Sequence, residues 1–140
     1  MKMHTTNYYN TLILVAEDCP CIQGEMPPMK KDTKTIANLQ FDALYEHDYQ
    51  FSSDEILFQV HAHKNEIPRH EYEEAFATLF SKGQACFRAS PLAKRYGWGV
   101  HFNSEGKMAL IGMETKRYQE LKKDNTLQLV KAMRTSKSSS

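Results

Sequence analysis

Long apolar runs are missing from this chain. The longest, Leu12 to Ala16, is only five residues, where a membrane-spanning helix needs about 20. The first ten residues, MKMHTTNYYN, are polar and do not supply the apolar stretch of a secretory signal. Cysteine is scarce and odd in number, three in 140 residues, which argues against a disulfide framework and for a reducing compartment. The cytoplasm is therefore the expected location. Strong charge of either sign is also lacking. The net charge is +1 and the isoelectric point about 7.7, whereas nucleic-acid modules tend to exceed about 9. Fingerprints are absent too: there is no phosphate loop, no dinucleotide glycine pattern and no G-x-S-x-G elbow.

What is there is the material of one globular domain. Hydrophobic residues make up 41% and charged residues 25% of the chain, which separates it from disordered sequences. A domain of this length buries roughly two-thirds of its unfolded surface and needs no disulfide or metal to hold together. The near-neutral total hides an asymmetry. Residues 1–80 carry six Lys/Arg against thirteen Asp/Glu, and residues 81–140 carry twelve against four. Such a split points either to an anionic partner for the basic half or to two halves that pack together and intersperse their charges.

Hydrophobic periodicity lays out the elements. Thr11 to Ala16 reads as a buried strand, followed by a loop held extended by Pro27 and Pro28. A helix is expected from Thr35 to about Glu46, with Ile36, Leu39, Ala43 and Leu44 on its apolar stripe. Ser52 and Glu55 form a capping box ahead of a second helix, although alternation of Phe58, Val60 and Ala62 also fits a strand. After Pro68 a third helix places Tyr72, Ala75, Phe76, Leu79 and Phe80 on one face, with Gly83 as the expected C-cap. Gln84 to Ala89 reads as a strand, Ser90 to Gly97 as a turn and Trp98 to Phe102 as a strand. Asn103 to Gly106 turns the chain into a partner strand, Lys107 to Met113. Thr115 caps a short helix to about Lys123, and Leu127 to Met133 forms the last strand. The expected fold is α+β, a mainly antiparallel sheet of about five strands with helices on one face. It comprises one domain, residues 1–135, and a disordered polar tail, residues 136–140.

Chemistry concentrates between Lys82 and Gly99. Lys82, Arg88, Lys94 and Arg95 supply cations, Ser90 a hydroxyl, and Trp98 a ring that stacks. Guanidinium forks, small residues and free turn amides are the parts of an anion site. Charged turns are mostly plain solvated surface. Three other sets compete. Cys19 and Cys21, with His61, His63 and His70, offer metal-ligand atoms, but the C-x-C gap is tighter than usual structural zinc spacing. The two histidines also share a side only if residues 58–63 form a strand. Cys86 or Ser90 with His101 as base meets the minimum for a hydrolase, yet a cysteine between Ala85 and Phe87 is more simply a small buried hydrophobe. Glu17 and Asp18 end the first strand as adjacent carboxylates, which a strand directs to opposite faces. Phe87, Tyr96, Trp98 and Phe102 interleaved with basic residues resemble a base-stacking platform, a reading the near-neutral charge disfavours.

The segments FSKGQACFRASPLAKRYGWG, TLILVAEDCP, TIANLQF and SSDEILFQV resemble an uncharacterised family of small bacterial proteins, a domain of unknown function, from about Thr5 to Arg134. The resemblance implies one self-contained bacterial domain and carries no activity, ligand or catalytic residue with it.

The leading expectation is a domain that binds an anionic small molecule, a nucleotide or phosphorylated metabolite, through Lys82, Arg88, Ser90, Lys94, Arg95 and Trp98. No metal and no other cofactor is assigned. On this reading Arg88→Ala and Arg95→Ala abolish binding while leaving the melting temperature nearly unchanged. The alternatives are a homo-oligomerising interaction module that pairs acidic and basic halves, and a Cys/Ser-dependent hydrolase.

Overall fold

In the computed structural model residues 3–134 are described; the polar tail, residues 136–140, lies outside them. Four strands form one sheet: β1 (Thr11–Leu14), β2 (Trp98–Phe102), β3 (Met108–Gly112) and β4 (Gln128–Lys131), in the order β3-β2-β1-β4. The α+β class holds, but the sheet is mixed. β1 pairs antiparallel with β2, placing Ile13 opposite Val100, and β2 pairs antiparallel with β3, while β4 runs parallel to β1. The cause is the connection after β3. A helix there, α5 (Lys116–Lys122), carries the chain back to the end from which β3 started. The next strand must then run parallel to β3, and hence to β1.

Helices cover both faces of the sheet rather than one. On the first face Ile13, Val100, Phe102, Met108 and Leu110 pack against α1 (Ile36–Leu44), α2 (Ser53–Lys64) and the four-residue α4 (Pro91–Lys94). On the second, Ala109 and Ile111 pack against Tyr118 and Leu121 of α5. Side-chain alternation along each strand sends neighbours to opposite faces. Val100 and Phe102 therefore enter one core, and His101 faces the other way. Behind α2, α3 (Tyr72–Leu79) follows a single 3₁₀ turn at Arg69–Glu71 and packs on Phe58, Ala62 and Phe80.

Local rules account for most boundaries. Thr35, Ser52 and Thr115 each accept a backbone N–H from the first turn of the helix they precede, and both Thr35 and Ser52 complete capping boxes. The capping box at Ser52 settles residues 58–63 as helix. Three expectations fail for physical reasons. Residues 84–89 form a loop ending in a 3₁₀ turn, Phe87–Ala89, because Phe87 alone plunges into the core and Ser90-Pro91 starts a helix immediately after. The third helix is capped by Phe80, not by Gly83. On α1 the buried stripe is Ala37, Asn38, Gln40, Phe41 and Leu44, leaving Ile36 exposed. Two polar side chains rotate inward here because each finds a partner. Asn38 donates to the carbonyl of Pro27 at 2.8 Å, and Gln40 accepts from Ser90 at 2.6 Å.

Candidate functional site

A groove of about 900 Å³ opens between the loop before α1, the N-terminal turn of α1, the end of α2 and α4. Six cations line it: Lys30, Lys31, Lys34, Lys64, Lys94 and Arg95. No carboxylate shares that lining. Among the described residues only Lys34 of the six has an ion-pair partner, Asp42 at 2.6 Å. The loop that delivers Lys30 and Lys31 is a tight two-residue hairpin. Lys30 and Thr33 exchange both backbone hydrogen bonds, at 3.3 and 2.9 Å, and Lys31 and Asp32 between them hold φ of 49° and 62°. That double left-handed geometry is one that Asn-Gly adopts more cheaply. The loop is pinned to the sheet through Trp98, whose Nε1–H donates to the carbonyl of Glu25 at 2.9 Å, and through the Glu25 amide, which donates to Tyr96 at 2.8 Å.

Beside the groove lies a second cavity of about 450 Å³, and Ile36, Lys64 and Pro91 line both. Leu57, Val60, Leu79 and Phe87 make its walls chiefly apolar. Several of its polar side chains bond within the protein. Ser90 donates to Gln40 and caps α4 by accepting from Leu92, Gln84 donates to the carbonyl of Leu79, and Asn65 meets His61.

The six residues marked in the sequence are dispersed by the fold. Lys94 and Arg95 stand on the groove. Ser90 borders the apolar chamber. Trp98 is buried in the core against Phe41 and Tyr45. Arg88 donates through Nε to the carbonyl of Lys131 at 2.7 Å, tying down β4, and Lys82 is exposed; neither lines the groove or the chamber. Sequence reasoning missed Lys30, Lys31, Lys34 and Lys64, which come from the half of the chain with net negative charge. Their signal was the pairing of a Lys-rich loop with a capped helix N-terminus, a charge pattern that favours anions. Charges also intersperse across the halves. Glu17 pairs with Lys131 at 2.6 Å and with Arg134 at 2.9 Å, and Glu55 with Lys107 at 3.2 Å.

The competing sets separate in space. His101 faces α5, on the opposite side of the sheet from the core that takes in Phe87 and Leu92, so it is not brought to Cys86 or Ser90. Cys86 instead meets the hydroxyl of Tyr8 at 3.3 Å, and burial first, then that contact, pushes the Tyr8 phenol up to about 12. A phenol so protonated does not serve as a base for the thiol. The Cys21 thiol is pushed up to about 11, by burial and then by Glu25, which opposes thiolate ligation. His61 and His63 diverge on α2, and His63 and His70 are exposed. Among the described residues no group of three or more His, Cys, Asp or Glu side chains is placed to hold a metal ion. The hydrogen bond from Lys131, with its charge and that of Arg134, holds the Glu17 carboxyl below its usual range. Phe87, Trp98 and Phe102 are buried, so they form no exposed stacking platform.

One polar cluster had no sequence signal. Arg117 donates to the Tyr49 hydroxyl, which meets Nδ1 of His101 at 2.6 Å. Burial, reinforced by the Arg117 charge and opposed by Asp124, lowers the His101 pKa below its ordinary value near 6.5. The unfolded chain therefore binds more protons than the folded one between the lowered value and about 6.5, and stability rises with pH across that window. Urea midpoints should fall on going from pH 7 to pH 5, and His101→Gln should flatten that fall. An equal fall in the variant would assign it to other groups.

The model of a family of unknown function, DUF6157, matches residues 3–138, nearly the whole chain, and the chain belongs to that family. No curated protein and no solved structure matches it. Among the described residues no helix is long and apolar enough to cross a membrane.

Proposed function

We propose that this member of a family of unknown function binds a small anionic molecule, with a phosphate or carboxylate group seated in the groove of Lys30, Lys31, Lys34, Lys64, Lys94 and Arg95. The observation that carries the reading is the concentration of six cations, five of them without an ion-pair partner among the described residues, around a concave surface with no carboxylate in its lining. Like charges held together repel, and an anion relieves that repulsion. The groove is concave, the usual shape of a small-molecule site. Lys94 is half-buried at its rim, and the amides at the start of α1 add the positive end of a helix. Arg95 supplies the planar fork that matches phosphate or carboxylate in two contacts.

Titration calorimetry with inorganic pyrophosphate tests this. Binding is expected at low salt, weakening steeply toward 0.5 M salt, because exposed charges are screened over about 10 Å at 0.1 M. Absence of binding at low salt would refute the proposal.

A further inference from the structure

Building on that reading, we infer that the natural ligand is a single-chain amphiphile, an anionic head on an unbranched apolar chain, with the head in the cationic groove and the chain in the adjoining chamber. Three observations converge. The two cavities share Ile36, Lys64 and Pro91 in their linings, so they adjoin. Ile36, 46% exposed although apolar, stands at their junction, and Lys64 reaches the same place with an aliphatic stem and a charged tip.

The chamber offers a chain what it would not offer a sugar or a base. Leu57, Val60, Leu79 and Phe87 line it. Ser90 donates to Gln40 and accepts from Leu92, and the Gln84 amide donates to the carbonyl of Leu79. Among the described residues no buried side-chain nitrogen or oxygen lacks a partner. A polar ligand would lose water against the apolar walls of Leu57, Val60, Leu79 and Phe87, whereas a methylene chain loses only unfavourable hydration there. The ring that a nucleotide would stack on, Trp98, is enclosed by Phe41 and Tyr45. The chamber's volume of about 450 Å³ falls within the range of small-molecule sites.

The test is a series of n-alkyl phosphates from methyl to octyl, each below its micelle concentration, titrated against the intact protein. Affinity should climb with chain length by up to about fourfold per methylene, until the chamber is filled. Octanol, which lacks the head, should bind far more weakly than octyl phosphate. Ala85→Trp and Ala89→Phe, which put bulk into the chamber, should cut the octyl affinity and leave methyl phosphate unchanged. Should either variant not fold, the chain-length series on the unaltered protein decides alone. Equal affinity for methyl and octyl phosphate overturns this inference but leaves the anion groove standing. No binding of any member overturns both. Sedimentation with phosphatidylglycerol vesicles that outcompetes monomeric octyl phosphate would assign the site to a membrane surface and overturn the single-chain ligand.

Discussion

Arg95→Glu and Lys64→Glu should each weaken pyrophosphate binding by about tenfold or more, and the double variant should remove it, while Arg88→Ala leaves the affinity unchanged. A hydrogen bond to a charged group contributes about 1.5–3 kcal/mol, so one lost contact corresponds to roughly ten- to a hundredfold, and charge reversal adds repulsion. Arg95 and Lys64 are exposed and have no ion-pair partner among the described residues. Their replacement should therefore shift the melting temperature little. Arg88 separates the two accounts of the site. It lies in the same basic stretch as Arg95, yet its guanidinium holds the carbonyl of Lys131, and its own carbonyl accepts from Met133 at 2.8 Å. Losing it should loosen β4 without touching the groove. If Arg88→Ala abolished binding as completely as Arg95→Glu, the ligand would lie along the 82–95 stretch and not in the groove.

The second large effect concerns the loop that carries Lys30 and Lys31. Gly97→Ala should destabilise the fold by about 2 to 4 kcal/mol, measured as a lowered urea midpoint. Gly97 has φ of +77°, and a β-carbon there would stand 2.2 Å from the carbonyl oxygen of Gln23 and 2.6 Å from its carbon. Both atoms are backbone, so relief requires moving the chain between Cys21 and Glu25 away from β2. That displacement would break the bond from Glu25 to Tyr96 and the bond from the Trp98 ring to Glu25. Pyrophosphate affinity should fall with stability, since the same loop feeds the groove. Gly83→Ala is the control. A β-carbon there meets only Nδ1 of His4, at 3.8 Å, and the substitution should leave stability unchanged or raise it by about 0.4–1 kcal/mol through the unfolded chain. Equal losses at both glycines would contradict the tight contact of the loop with β2.

Elements with local signatures were legible in the sequence. Capping residues Thr35, Ser52 and Thr115 mark helix starts by their own chemistry, and the turn at Asn103 to Gly106 declares itself through Gly106, whose φ is +79°. Elements defined by distant partners were not. Whether β4 runs parallel or antiparallel depends on the crossover through α5, which no local pattern encodes. Ala85, Cys86 and Phe87 form a short apolar run that mimics a strand, yet one ring in the core and a helix start at Ser90 decide the outcome. The groove was half legible. Lys94 and Arg95 stood out because they are adjacent in a basic stretch. Lys30, Lys31, Lys34 and Lys64 did not, because the net negative charge of residues 1–80 hid them and only the packing of α1 and α2 gathers them. Linear charge blocks predict little once chain segments from both halves line one surface.

Amide-resolved NMR during a pyrophosphate titration tests the central claim most directly. The account predicts saturable shifts confined to Lys30, Lys31, Ile36, Ala37, Lys64, Lys94 and Arg95, with Lys82, Arg88 and the α5 face unmoved. Shifts centred on residues 82–88 or on Tyr49, His101 and Arg117, or no saturable shift at low salt, would contradict it.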